Sequence, residues 1–377
     1  MVDNLISTQL TRRGLLKRSA VSAFAVGGGA ALLSACGDDS KARGGTGSAS
    51  EPSSAPKASA VTGTAVYLNY PGWIGPQTVK HFESKFPGAK IEQTATGMES
   101  LSGVALTVAQ NPTAYDMLLA STDIAEQLAA GDLTMPISEE NVPALKYVNP
   151  RVRELYPYGL PLETGYSGFA YRRDLIDEDL TSWEDFWRIA PSQSRKITAV
   201  GIDRPIIGAA LNYLGFDSNT TTQSELDAAL KALEELKPHV LSFKTTGTGQ
   251  SLKDGSAVMA LGYNFDIVPV VQEDPRLVWV TPSEGTTGYI EGIVGVSQTD
   301  NADTVRAFMD FCLQPAEYAD FINEVNTPRV TTNADDLIDK NLLDPIYDLP
   351  DDAQMLKFLG PDATKAYNRL WSEFQAS

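Results

Sequence analysis

The chain has 377 residues, of which 42% are hydrophobic, with 30 Lys or Arg against 48 Asp or Glu and a formal charge of -18. That length can bury more than one lobe, and so acidic a surface repels nucleic-acid phosphates and attracts cations, although acidity also serves plain solubility. Its 2 cysteines, Cys36 and Cys312, supply neither a disulfide framework nor a CxxC metal site.

The N-terminus reads as an address. Thr11-Arg12-Arg13-Gly14-Leu15-Leu16-Lys17 is followed by an Ala/Gly-rich apolar run over 20–35 and then by Leu33-Ser34-Ala35-Cys36. Paired arginines before a short apolar stretch resemble a twin-arginine export signal, and the second box resembles the site where a bacterial lipoprotein is cleaved and its cysteine acylated. The apolar run is shorter than the ~20 residues that cross a bilayer. Residues 1–35 are therefore expected to be a signal peptide, Cys36 the lipidated residue, and 36–63, rich in Ser, Ala, Gly and Pro, a flexible tether.

From residue 64 the pattern alternates. A strand is expected over 65–69, then a helix over 77–86 with Val79, Phe82 and Phe86 on one face and Pro87-Gly88 as its stop. A strand over 89–93, a helix near 101–109 and a buried strand over 116–120 complete the first series. The second follows a strand over 166–172, with a helix over 181–189, a strand over 197–202 and a helix over 205–214. Thr222-Gln223-Ser224-Glu225 has the spacing of a capping box for a helix carrying Leu226, Leu230, Leu233 and Leu236, stopped by Pro238. Strands are expected near 257–262, 277–281 and 289–296, and the last third reads as mainly helical, with Cys312 in an apolar helix as a buried, inert thiol. This rhythm is α/β.

Catalytic and nucleotide signatures are thin. Thr245-Thr246-Gly247-Thr248-Gly249-Gln250 lacks the lysine that would hold phosphates and reads as a loop before a helix; there is no GxSxG, no HExxH and no metal-ligand spacing. His81 and His239 both occupy positions that read as surface. Aromatic and acidic residues instead recur at the carboxyl ends of expected strands: Tyr70 and Trp73, Ser121 and Asp123, Asp203, Tyr263 and Asp266, Tyr289 and Glu291. Open α/β sheets bind ligands there, and rings with carboxylates suit an organic cation. Asp123 and Asp203 could equally cap helices.

Tyr67-Leu68-Asn69-Tyr70, Tyr115-Asp116 before Ser121-Thr122, Thr181-Ser182-Trp183-Glu184-Asp185-Phe186-Trp187, Leu214-Gly215-Phe216-Asp217-Ser218-Asn219-Thr220-Thr221 and Glu284-Gly285 occur in an order that resembles the spermidine/putrescine-binding proteins of ABC importers. The resemblance implies a type II periplasmic-binding-protein fold, with two α/β lobes, two crossing segments and a ligand cleft between the lobes. The expected division is lobe 1 over 64–168 plus 292–330 and lobe 2 over 169–291 plus 331–377. Family ligand positions fall on Tyr70, Trp73, Ser121, Tyr263 and Tyr289, with Glu291 in place of the amine-binding aspartate. Asp123 stands where the family has a tyrosine, the family's second-lobe acidic pair falls near Ile202 and Pro205 with Asp203 adjacent, and Glu163 near the first crossing can compensate. The implied protein is not an enzyme and carries no cofactor or metal. It is a monomer on a lipid anchor that binds a polyamine-like cation and docks on the membrane subunits of an ABC permease. Rival readings are a receptor for an anion, through Arg204, or for a metal or sugar; a secreted enzyme using Asp123, Asp203 or Glu291; and an adhesive lipoprotein.

Overall fold

The computed structural model describes residues 54–95 and 101–377. The signal peptide, Cys36 and the first part of the tether lie outside the described residues. The folded body begins slightly before the expected boundary, since Val61 is already 2% exposed and the first strand starts at Gly63.

Ten strands are present among the described residues: β1 (Gly63–Leu68), β2 (Ala89–Thr94), β3 (Met117–Ser121), β4 (Leu160–Arg172), β5 (Ile197–Val200), β6 (Val240–Lys244), β7 (Met259–Tyr263), β8 (Leu277–Val280), β9 (Thr287–Gly295) and β10 (Gln354–Met355). They follow the order β2-β1-β3-β9-β4-β7-β5-β6, with β10 beside β9 and β8 beside β4. β1 pairs in parallel with β2 and β3, and β5 in parallel with β6 and β7. The two parallel groups meet through antiparallel pairs of the long strands β4 and β9. β4 changes partner midway: Leu160 to Tyr166 lie along β9, and Ser167 to Arg172 along β7 and β8. One strand thus belongs to both halves.

The apolar interior forms two clusters. One gathers the core of the β1–β3 half and runs on beneath the other sheet through Ala170, Ala260, Ile267 and Trp279. The second takes the opposite face of that sheet, with Phe169, Tyr171, Met259 and Leu261 against Trp183, Phe186 and the C-terminal helix Pro361–Ala376. Alternate residues of β4 and β7 serve different clusters, as strand pleating requires.

Helix ends show how distant pieces of sequence meet. Helix Trp183–Ile189 starts at Ser182, whose hydroxyl accepts from Asp185 N at 3.0 Å. The backbone N–H groups of Trp183 and Glu184 donate to Glu284 at 3.0 and 2.8 Å, and the Trp183 indole donates to Gly285 O at 3.0 Å. A carboxylate at a helix N-terminus satisfies orphan donors and faces the positive end of the macrodipole. The expected box at Thr222 does not form. Thr222 is the N-cap of helix Gln223–Leu236 without a side-chain bond, because Glu225 accepts instead from the Thr220 hydroxyl. Cys312 ends helix Ala302–Cys312 at 5% exposure, where burial pushes its thiol up. His81 is exposed and 2.9 Å from Glu317, whereas His239 is half-buried.

Candidate ligand-binding site

β1 runs into Tyr70-Pro71-Gly72-Trp73, where Trp73 N donates to Tyr70 O at 3.1 Å and Gly72 has φ +80°. That is the backbone of a type II turn, with proline and glycine at the positions that demand them. Asn69 Nδ2 donates to Trp73 O at 3.0 Å and fixes the turn from below. Trp73 Nε1 then reaches Glu163 Oε1 at 2.5 Å.

Glu163 and Glu291 stand directly opposite each other on β4 and β9, and Ser121 of β3 stands opposite Glu291 on its other side. A β-bulge makes this row. Pro161 faces Gly292 and Glu163 faces Glu291, so Leu162 is the extra residue. In a regular ladder Leu162 would oppose Glu291 and Glu163 would point to the other face; the bulge re-aims it. Glu163 is 0% exposed, and its second oxygen accepts from the Thr327 hydroxyl. The charge of Glu163 acts on Glu291 across the ladder. Burial pushes Glu163 up to about 7, tempered by the Thr327 and Trp73 donors. Glu291 is pushed well above the ordinary range by burial, then by Glu163 and by Asp123.

Asp123 lies in the first turn of helix Thr122–Ala130 and accepts from Ser121 Oγ at 2.6 Å. The helix start is tied to β9 by Thr122 Oγ1, which donates to Ile290 O at 3.2 Å and accepts from Ile290 N at 3.1 Å. Asp203 opens helix Asp203–Tyr213; burial raises it, the backbone and charge of Arg204 lower it, and Asp123 raises it again. Neither aspartate supplies the residue before its helix, which is Ser121 in one case and Ile202 in the other, and neither of those makes a side-chain cap.

The rings form a chain over the carboxyl row. Trp73 meets Phe265 edge-on at 5.6 Å, Phe265 stacks on Tyr263 at 5.5 Å, and Tyr263 meets Tyr289 edge-on at 5.3 Å. Tyr289 is opposite Gly165 in the ladder, and a Cβ at Gly165 would lie 2.3 Å from its hydroxyl, so only glycine lets the ring lie there. Nearby carboxylates and burial push the phenols of Tyr70, Tyr263 and Tyr289 up, with burial first in each case. A cleft of about 390 Å³ lies along the Tyr70–Trp73 turn, on Tyr70, Gly72, Gln93 and Glu324, and neither Glu163 nor Glu291 lines it.

Of the residues expected at the site, Tyr70, Trp73, Ser121, Asp123, Glu163, Asp203, Tyr263, Tyr289 and Glu291 are linked by these contacts and mutual charge effects. Asp266 stands apart. Its oxygens accept from Gly247 N at 2.7 Å, from Thr248 N at 2.8 Å and from the Thr248 hydroxyl, pinning the Gly/Thr-rich loop to helix Asn264–Glu273. Arg204 donates to Asn219 at 2.8 Å and lies 4.7 Å over the Tyr367 ring. Phe265 and Thr327 escaped the sequence reading. Phe265 follows the strand-end Tyr263 by two residues, which is the signal that could have found it; Thr327 has no local signal.

A two-part α/β molecule with acidic and aromatic residues on the strands shared by its halves is the architecture of a solute receptor. Residues 77–357 match the family of bacterial extracellular solute-binding proteins, and the chain belongs to it. It is similar to the putrescine-binding periplasmic protein SpuD of Pseudomonas aeruginosa, at 23% identity over 82% of this chain and 90% of that protein. The spermidine/putrescine-binding periplasmic protein of Escherichia coli is 22% identical over 82% of this chain and 86% of its own length. Among solved structures, the TpPotD lipoprotein of Treponema pallidum superimposes with a TM-score of 0.70 at 20% identity, covering 83% of this chain and 99% of that one. The substrate-binding protein PotD of a Streptococcus pneumoniae spermidine/putrescine transporter gives 0.68 at 18% identity, over 84% and 99%. The fold is the type II periplasmic-binding-protein fold.

Proposed function

We propose that the protein is the lipid-anchored receptor of an ABC importer for a polyamine such as putrescine or spermidine, or a closely similar organic cation. The observation that carries this reading is the Glu163–Glu291 pair, with Glu163 buried, Glu291 half-buried, aromatic rings beside them and Asp123 acting on Glu291. An ammonium group there would gain charge-assisted hydrogen bonds of roughly 1.5 to 3 kcal/mol each and cation–π contacts of about 0.5 to 2 kcal/mol each. After association costs, that inventory supports micromolar affinity, about -8 kcal/mol. Polyamine-binding relatives support the same ligand class, and an anion reading is disfavoured because Arg204 is engaged by Asn219 and Tyr367.

In this reading β4 and β9 are the two crossing segments, and the lobes, 64–168 with 292–330 and 169–291 with 331–377, close on the ligand by hinge motion before the closed monomer docks on its permease. Cys36 carries the lipid and 36–63 the tether. A thermal-shift panel tests the ligand class. Amines should raise the melting temperature, with about 2.7 kcal/mol at a hundredfold excess over Kd, while sugars, anions and metals should not; stabilisation by a sugar or anion alone would refute the amine reading. Cys36→Ala should abolish lipid labelling, and Arg12→Lys with Arg13→Lys should hold the folded chain in the cytoplasm. Undiminished labelling of the cysteine variant would remove the anchor.

A further inference from the structure

Two carboxylates opposite one another on neighbouring strands repel when both are ionised. Glu163 and Glu291 stand in that relation, Glu163 fully buried and Glu291 half-buried. An ionised carboxylate only accepts hydrogen bonds, so neither side chain can donate to the other unless one keeps its proton. Both oxygens of Glu163 already accept, from the Trp73 indole and the Thr327 hydroxyl. Those donors favour the ionised form of Glu163, so the proton of the pair belongs on Glu291.

The groups around the pair do not supply a cation. Asp123 acts on Glu291 from the helix after β3, and the facing phenols are those of Tyr67 on β1, Tyr70 beyond it, Tyr156, Tyr263 on β7, Tyr289 on β9 and Tyr318 on helix Pro315–Val325. All of these are acidic or neutral. Arg329, whose backbone bridges to Glu163, directs its guanidinium to Asp335 at 2.8 Å and Asp348 at 3.9 Å.

We propose that the empty site holds one proton on the Glu163–Glu291 pair and that an ammonium group of the ligand takes its place, each bound polyamine releasing one proton to solvent. The inference rests on the polyamine reading and adds its regulation. One positive charge leaves the pair as another arrives, so the interior keeps the same net charge in both states. The binding constant should fall about tenfold per pH unit below the pH at which the empty pair loses its proton, and level off above it. Uptake then favours neutral or alkaline surroundings, and acidification promotes release.

Two measurements on the full chain test this. Infrared spectroscopy of the ligand-free protein at pH 8, above the value of about 7 for Glu163, should show the C=O stretch of one protonated carboxyl, absent from Glu291→Gln, whose amide can donate to Glu163 in place of the proton. Calorimetry with putrescine in buffers of different ionisation enthalpy should show one proton released per ligand at pH 8, where Glu163 has lost its own proton, and none from Glu291→Gln. Absence of the carboxyl band in the ligand-free protein overturns the proton-holding pair whether or not any amine binds. Saturable putrescine binding with buffer-independent heat overturns the exchange while leaving the receptor reading intact. Failure of putrescine, spermidine and agmatine alike to bind, with the band present, sinks the polyamine reading and the exchange while the protonated pair stands.

Discussion

Glu163 at 0% exposure has two donors and no counter-ion, so ionising it in the empty protein costs free energy that the unfolded chain does not incur. The folded state therefore binds more protons than the unfolded state between the ordinary glutamate value of 4.5 and the folded value of about 7. Stability of the ligand-free protein should be greatest at and below pH 4.5 as far as this group is concerned, and should decline by up to about 1.4 kcal/mol per pH unit as pH rises through that window. Urea unfolding across pH 5 to 8 measures the slope. Glu163→Gln, which removes the titrating group, should flatten it, and an equal slope in the variant would contradict the assignment. Gly165 gives a second test at the same scale. Gly165→Ala forces a Cβ against the Tyr289 hydroxyl, so it should cost about 1 to 3 kcal/mol as overpacking and weaken amine binding by moving the ring. Alanine tolerated with unchanged melting temperature and affinity would show that the ring has room.

Elements explain what the sequence made legible and what it hid. Tyr289 and Glu291 alternate on one strand, so their common face could be read from spacing alone, and the ladder places them opposite Gly165 and Glu163. Glu163 could be named but not aimed. The first half of β4 carries Pro161, Glu163 and Gly165, which mask a strand, and the bulge at Leu162 inverts the face that alternation assigns. The ring chain was half visible, because Phe265 begins a helix containing Pro269 that periodicity passes over. The same limit applies to helix Trp183–Ile189: its local cap Ser182 is legible, whereas Glu284 arrives from 100 residues or more away. Glu284→Ala should lower stability by about 0.5 to 2 kcal/mol, the range for losing a helix cap, without changing amine affinity. A thermal melt of the variant checks the first part and calorimetry the second.

At the scale of the molecule, Glu163 and Glu291 lie on the strands that the two sheet groups share, so the proposed site sits where the groups meet. In the proposed closure, a ligand that contacts Glu163, Glu291, Trp73, Tyr263 and Tyr289 favours the arrangement in which it touches all of them. Small-angle scattering should show a smaller radius of gyration with saturating putrescine than without it; an unchanged profile would separate binding from closure.

The most direct test of the receptor account is the dissociation constant of putrescine for the native chain and for Glu291→Gln, both measured at pH 8. One saturable site per chain, weakened in the variant by roughly 1.5 to 3 kcal/mol as a lost charged hydrogen bond, is the predicted result. Equal or tighter binding by Glu291→Gln would contradict the assignment of the buried carboxyl pair as the ammonium site.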